Sequence, residues 1–379
     1  LGRSVARLTL QPTVHVLLEG HGRESEIAVG VDLSKTVGWF TSMYPVKLDL
    51  SSESLALNIM SIKDQLHEMP HSGIGYGALF GYLAEELPRI SFNYLGQLDN
   101  NALTQSTQWG LVNESSGVSF NLANKDHHLI NINGAVSNGQ LAFSIVSQLG
   151  VELSKRLAAE FKRELELVIT TLSTAPRTYL SAGDVDNIVS QACLDRIQSS
   201  SEISGVYAAN SLQQGFIYHY LNVGDVDDAY IVQLIFNYKN KFDVSLLKQS
   251  WQLGVNKYPS LRLRFDWEEE LVQIVDKIQE VDFRYVEGVE YSLSYQEELI
   301  AKDRAERFDL AKGNLLRVTL IKVSHENYVC IMSSHHAILD GWSNPRLLGY
   351  VHDCYLKLLN SSDSVSTYRD IANSEQEDR

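Results

Sequence analysis

The chain has 379 residues, of which 44% are hydrophobic and 21% charged, and its formal net charge is −15. That balance suits a packed globular protein with room for two domains, and its acidity disfavours nucleic acid and anionic membrane as partners. The three cysteines, Cys193, Cys330 and Cys354, are far apart and odd in number, so no disulfide framework or CxxC metal pattern is expected and a reducing cytoplasm is implied.

The first residues carry no methionine and no signal peptide. Val5 to Leu10 reads as a strand at the very start, and the chain stops in a charged segment, Glu375 to Arg379, with no evident terminal element. Both ends look cut, so a fragment is expected. Thr13 to Leu18 is rich in β-formers and leads into a polar loop, Glu19 to Glu24. Ser61 to Met69 reads as a helix ended by Pro70. Ile90 to Leu95 is strand-like, and Leu129 to Val146 reads as a hairpin turning at Ser137-Asn138-Gly139. Ser154 to Leu172 is the clearest helix, with Ser154 as its cap and Leu157, Phe161, Leu165 and Val168 on one face.

The stretch 173–204 contains Pro176, Gly183 and a Ser199-Ser200-Ser201 run, with a short helix over Val185 to Ile197. It reads as an interdomain linker between residues 1–172 and 205–379. The second part then restarts. Ser211 to Leu221 is a helix, Tyr230 to Tyr238 a strand, and Asp243 caps a helix through Val255. Leu261 to Phe265 is a strand carrying Arg262 and Arg264, and Ser294 to Arg307 is an amphipathic helix. Leu315 to Val323 and Tyr328 to Ser333 form a hairpin, and a helix follows Gly341 to about Leu358. The layout is α/β layered in both halves.

The sharpest chemical signal is His335-His336-Ala337-Ile338-Leu339-Asp340-Gly341-Trp342-Ser343. A strand end, a tight loop and a helix hold an imidazole at a fixed angle, and a neutral histidine can take a proton from an amine or hydroxyl. Asp340 is placed to fix the loop by pairing with a cation, and Gly341 to allow the turn. A structural histidine pair is the competing reading. No third ligand at a sensible spacing supports a metal. Three look-alikes are set aside: His127-His128 as strand surface, Gly73-x-Gly75-x-Gly77 as no phosphate cradle because no strand precedes it, and Glu164 to Glu166 as the wet face of a helix.

The run HHAILDGWS resembles the HHxxxDG signature of the condensation-domain superfamily, which also includes chloramphenicol acetyltransferase-like acyltransferases. Ser211-Leu212-Gln213-Gln214-Gly215 with Tyr218-His219 resembles that family's opening motif. Tyr258-Pro259-Ser260-Leu261-Arg262 with Phe265 resembles its LRxxF segment, and Phe308-Asp309-Leu310 with Leu315-Leu316-Arg317 its FDL…LLR segment. All four occur in family order. The resemblance implies that His336 is catalytic, positioning or deprotonating the α-amine that attacks a donor thioester, with His335 and Gly341 supporting it. It also implies that Asp340 is structural and pairs with Arg262, or with Arg264 as second choice.

The first part resembles a different member of the superfamily, the epimerization domain of nonribosomal peptide synthetases. Glu19-Gly20-His21-Gly22-Arg23-Glu24 is similar to EGHGRE. Lys35-Thr36-Val37-Gly38-Trp39-Phe40-Thr41 with Tyr44-Pro45 is similar to RTVGWFTxxYP, Pro70 to Gly77 to PxxGxGYG, and Phe92 to Gln97 to FNYLGQ. This resemblance implies that Glu19 is one of two acid/base groups at Cα, the other being a histidine of an HHxxxDG motif that these residues lack. His21 and Arg23 would support it, and Asn93 and Tyr94 would line the same region.

Together these resemblances imply two chloramphenicol acetyltransferase-like lobes, one from each of two consecutive domains: the C-terminal lobe of an epimerization domain (1–172) and the N-terminal lobe of a condensation domain (205–379) of the D-donor, L-acceptor type. No cofactor is expected to bind directly. Substrates would arrive on the phosphopantetheine of carrier domains, with adenylation domains of the same synthetase as further partners. A stand-alone acyltransferase and a non-catalytic docking or scaffold unit are the alternative readings.

Overall fold

The computed structural model describes every residue except 25–29, 31, 34, 98–116, 118–120, 122, 125, 138, 224–227, 241–242, 288–290, 362 and 378–379. The chain divides into two compact units, Leu1–Pro176 and Arg177–Arg379. Both are layered α/β, as the sequence predicts, and among the described residues no helix is long and apolar enough to cross a membrane.

Unit 1 opens with a helix, α1 (Gly2–Thr9), where a strand was expected. Arg3 and Arg7 are four residues apart and so share a helical face. Both grip Glu164, at 2.6 and 2.9 Å, and this long-range pairing selects the helix over the local β-like pattern. Glu164 is therefore buried and not on a wet face. Strands β1 (Thr13–Gly20) and β2 (Ser42–Asp49) follow. Helix α2 (Leu55–His67) begins six residues before the expected start, because Ser54 caps it by accepting from the Leu57 N–H. A short helix, α3 (Tyr76–Phe80), precedes β3 (Ile90–Gln97) and the hairpin β4 (Ile130–Ser137) and β5 (Gln140–Ser147). Asn138, expected at the hairpin turn, lies outside the described residues.

The five strands run in the order β2-β1-β3-β4-β5, with β1, β3 and β4 mutually parallel. Helix α4 (Val151–Ser173) covers one face through Leu157 and Phe161. It starts three residues earlier than expected, so Ser154 lies inside it, its hydroxyl bonded to the Leu149 carbonyl. His127 and His128 precede β4 and do not lie on a strand.

Unit 2 begins inside the stretch expected to be a linker. A 3-10 turn (Ala182–Val185), helix α5 (Gln191–Ser200) and strand β6 (Ile203–Ala208) occupy it. Val185, Val189, Cys193, Leu194 and Ile197 are buried together with Val272 and Ile274 of a later strand. The Ser199-Ser200-Ser201 run that suggested a linker ends α5, with Ser201 at its C-cap donating to Asp276 at 2.7 Å; nearby, Ser181 forms a capping box with Asp184, and Ser190 accepts from the Cys193 N–H.

Helix α6 (Ser211–Val223), strand β7 (Ile231–Lys239) and helix α7 (Val244–Lys257) follow, then β8 (Leu263–Asp266), β9 (Val272–Asp276) and β10 (Asp282–Val286). After them come α8 (Leu293–Ala305), β11 (Leu316–Lys322), β12 (Asn327–His335), α9 (Ser343–Leu359) and α10 (Ser364–Glu377). The last is a terminal helix where none was expected. Its Tyr368, Ile371 and Ala372 pack on Leu253, Cys354 and Leu358. The strands form a four-stranded sheet, β10-β11-β12-β7, and a three-stranded sheet, β6-β9-β8. The three cysteines are buried and none forms a disulfide.

Candidate functional site

In unit 2, β12 is flanked by β11 and β7 and is buried from Tyr328 to its last residue, His335. A strand apolar on both faces must sit inside the fold, so its end delivers the histidine pair to a fixed place. His335 is 6% exposed. Its backbone N–H reaches the Leu315 carbonyl, and its Nδ1 accepts from the Ala337 N–H at 3.1 Å. Burial, helped by His336 beside it, pushes its pKa down to about 4, so it is neutral at pH 7 with its proton on Nε2.

His336 is half-buried and held three ways. Its N–H donates to the Tyr230 carbonyl at 2.8 Å, its Nδ1 lies 2.8 Å from the Leu339 carbonyl, and its ring is stacked on Phe216 at 5.6 Å and 22°. A carbonyl only accepts, so in the neutral ring Nδ1 carries the hydrogen and Nε2 keeps the lone pair. The two neighbouring histidines thus have opposite tautomers. Gln213, 6% exposed, ties α6 to the loop by donating to the Ala337 carbonyl at 3.3 Å and to the Gln273 side chain at 3.0 Å.

The expected pair of Asp340 with Arg262 does not form. Asp340 is exposed, and its Oδ1 accepts from the Ser343 N–H (2.8 Å) and hydroxyl (2.6 Å), which hold its carboxyl below the usual range. Arg262 falls in a 3-10 turn, Pro259–Arg262, and not on the strand. From there it is buried and donates to the carbonyls of Val255, Asn256 and Asp276. Arg264, the second choice, binds both carboxyl oxygens of Asp276 at 3.1 Å. Gly341 does not adopt a positive φ, and a Cβ there would meet nothing within 4 Å, so this turn does not require glycine.

Sequence reasoning missed a buried cluster on the His335 face of the sheet. Arg317, 2% exposed, donates to Asp303 at 2.6 Å, and Asp303 also accepts from Gln233 (2.8 Å) and from the Ser333 hydroxyl. Ser333 precedes His335 by two, so the period of the strand puts both on one side. Arg317 was legible in its motif. Asp303, inside a charged helix, carried no signal.

In unit 1, Glu19 lies on β1 and not in a loop. The parallel register Leu18↔Phe92 sets it beside Asn93, whose amide donates to Glu19 at 3.0 Å. Asn133, in register with Asn93 on β4, continues the polar row. Glu19 is exposed. Tyr94 is the next residue on β3 and so faces the other side, away from Glu19. Arg23 is also engaged elsewhere: its guanidinium donates to the Leu33 carbonyl and lies 4.3 Å from the Phe40 ring. His21 accepts from the Arg23 N–H and approaches Glu24 at 3.6 Å. Gly22, at φ +64°, passes so close to the Phe40 backbone that a Cβ would sit 1.6 Å from its carbonyl oxygen. The His21–Arg23 stretch thus clamps the segment around Phe40, leaving Glu19 and Asn93 as the polar pair on the sheet. Among the described residues, no cluster of three or more His, Cys, Asp or Glu side chains is arranged for a metal.

The condensation-domain family model matches residues 4–187 and 203–379. The chain is 33% identical over 397 residues to a linear gramicidin synthase subunit of Brevibacillus parabrevis, covering 96% of this chain and 5% of that protein. It is 31% identical over 404 residues to a mycosubtilin synthase subunit of Bacillus subtilis, covering 97% and 15%. It therefore spans only a small part of these relatives. A solved epimerization domain from the third module of tyrocidine synthetase B is 32% identical over 45% of this chain and 40% of that one, with a TM-score of 0.39.

Proposed function

The chain belongs to the condensation-domain family, and from that premise we propose that it is a segment of a nonribosomal peptide synthetase in which unit 1 serves epimerization and unit 2 serves the amide-forming step that follows. The observation that carries the second assignment is the locked tautomer of His336. An imidazole with its Nδ1 hydrogen committed to the Leu339 carbonyl offers Nε2 as a proton acceptor. The acceptor's α-amine attacks the donor's thioester carbonyl, the C–N bond forms and the C–S bond breaks. The amine proton passes by way of Nε2 toward the departing thiolate.

For unit 1, the four epimerization-type motifs and the Glu19–Asn93 pair support a role at Cα. Glu19 would move the proton on one face, with the second acid/base group supplied from outside these residues. The donor and acceptor are thioesters on carrier-domain phosphopantetheine, the adenylation domains of the same synthetase load them, and the setting is cytoplasmic. An epimerization step leaves both configurations on the thioester, so the next step must select the D form. Selection by roughly 30–150-fold needs only about 2–3 kcal/mol of differential transition-state binding. With each unit read as one lobe of a two-lobed site, the isolated chain should turn over neither substrate.

In a synthetase carrying this chain, His336→Ala should lower elongation by about 10²–10⁴-fold, with D-configured donor accumulating on the upstream carrier. Glu19→Gln should stop solvent deuterium from entering Cα. L- and D-peptidyl donors loaded directly in the Glu19→Gln background test stereoselection. Wild-type elongation by His336→Ala removes the condensation assignment, undiminished exchange in Glu19→Gln removes the epimerization assignment, and equal use of both donors removes the D preference.

A further inference from the structure

Residues Asp228 to Ile231 form a tight turn, with the Ile231 N–H donating to the Asp228 carbonyl at 3.2 Å. Its third residue, Tyr230, has φ +68°, a position where turns favour glycine or asparagine because a Cβ is unfavourable there. The turn is anchored from outside by an ion pair between Asp228 and Arg304 of α8. Tyr230 immediately precedes β7, and the register Ile231↔His335 puts it opposite His336, to which it offers its carbonyl at 2.8 Å. Its ring packs 4.5 Å from Phe216, 5.1 Å from His219 and 6.4 Å from His335.

If the turn alone mattered, glycine would serve it better, so the ring must supply what glycine lacks. Phe216 is the ring stacked on His336, and Tyr230 buttresses it at the shortest centroid distance Phe216 makes to any of its ring neighbours here. We infer that Tyr230 is a positioning residue for His336: its left-handed turn aims a carbonyl at the His336 N–H, while its ring holds Phe216 flat against the imidazole. The inference rests on the reading of His336 as the proton acceptor only for its effect on rate. The orientation of the ring is a separate matter.

The test uses the 379-residue chain with ¹⁵N-labelled histidine, His336 being assigned by its loss in His336→Ala. Long-range ¹H–¹⁵N spectra at pH 8 should show one neutral tautomer for His336, protonated at Nδ1, in the wild type and in Tyr230→Phe. Tyr230→Asn tolerates the left-handed turn but removes the ring, and should give a mixture of tautomers. Phe216→Leu leaves the turn untouched and should do the same, which keeps the test valid if Tyr230→Asn does not fold. In the synthetase, Tyr230→Asn should lower kcat about 10-fold with KM little changed, as expected for a misoriented catalytic group. A single fixed tautomer in Tyr230→Asn or in Phe216→Leu overturns the inference, as does a loss in Tyr230→Phe equal to that in Tyr230→Asn. Scrambled tautomers together with full elongation by His336→Ala uphold the positioning role and overturn the catalytic reading of His336 instead.

Discussion

The two candidate centres are built in opposite ways. His336 leaves the end of a buried central strand, and three separate elements fix its backbone, one ring nitrogen and its ring face. Glu19 stands exposed on a sheet, and among the described residues it is held by one amide from the neighbouring strand. A histidine used as a base must present one chosen nitrogen, and only surrounding hydrogen bonds can choose it. A carboxylate has two equivalent acceptor oxygens, so one neighbour suffices to orient it. The firmer hold falls on the candidate whose proposed role depends on a tautomer.

The comparison breaks most readily at the buried support of unit 2. Arg317→Ala should destabilise the unit by about 3–5 kcal/mol, because it leaves the buried Asp303 carboxyl without its ion-pair partner. Urea unfolding followed by circular dichroism measures this. Replacing both residues with apolar ones of similar volume should recover much of the loss. A single substitution that proves silent would mean that the pair does not hold the strand behind His335.

His335 gives the next effect. Its folded pKa of about 4 lies below the ordinary 6.5. Between these values the unfolded state binds the proton and the folded state does not, so stability is complete above about pH 6.5 and falls as the pH drops toward 4. At about 1.4 kcal/mol per pH step, the loss comes to about 3 kcal/mol. His335→Gln should flatten the stability profile between pH 6.5 and 5, leaving the smaller slope of His352, which burial also pushes down. An unchanged slope would show that His335 is not held neutral.

Asp340→Ala should do less, lowering the melting temperature by only a few degrees, since an exposed carboxylate and its Ser343 contacts are all that is removed. A loss comparable to that of Arg317→Ala would mean that Asp340 pairs with a buried arginine after all. The smallest change is expected for Glu19→Gln, within about 0.5 kcal/mol of wild type, as for other exposed positions. A larger change would place Glu19 among the supports of the fold and sharpen the contrast in the other direction.

Much of this was legible in the sequence because it is local. Strands such as β1 and β12 and helix α4 follow from residue pattern and periodicity, and the Asp243 cap of α7 appears as expected. The motifs marked the histidine loop and the Glu19–Asn93 pair by residue type and order. Tertiary structure decided the rest, since pairings between distant residues leave no local trace. Arg3 and Arg7 turn an apparent strand into a helix because Glu164 waits 161 positions beyond Arg3. A serine-rich stretch became part of a core because its serines cap and its valines meet a sheet. Arg262 turned inward to carbonyls because a 3-10 turn, not a strand, carries it, which left Asp340 to Ser343. The sequence alone determined which residues are the candidates for the chemistry. Only the fold could decide which partner each one meets, because a side chain's direction depends on the backbone beneath it and on whatever distant segment packs against it.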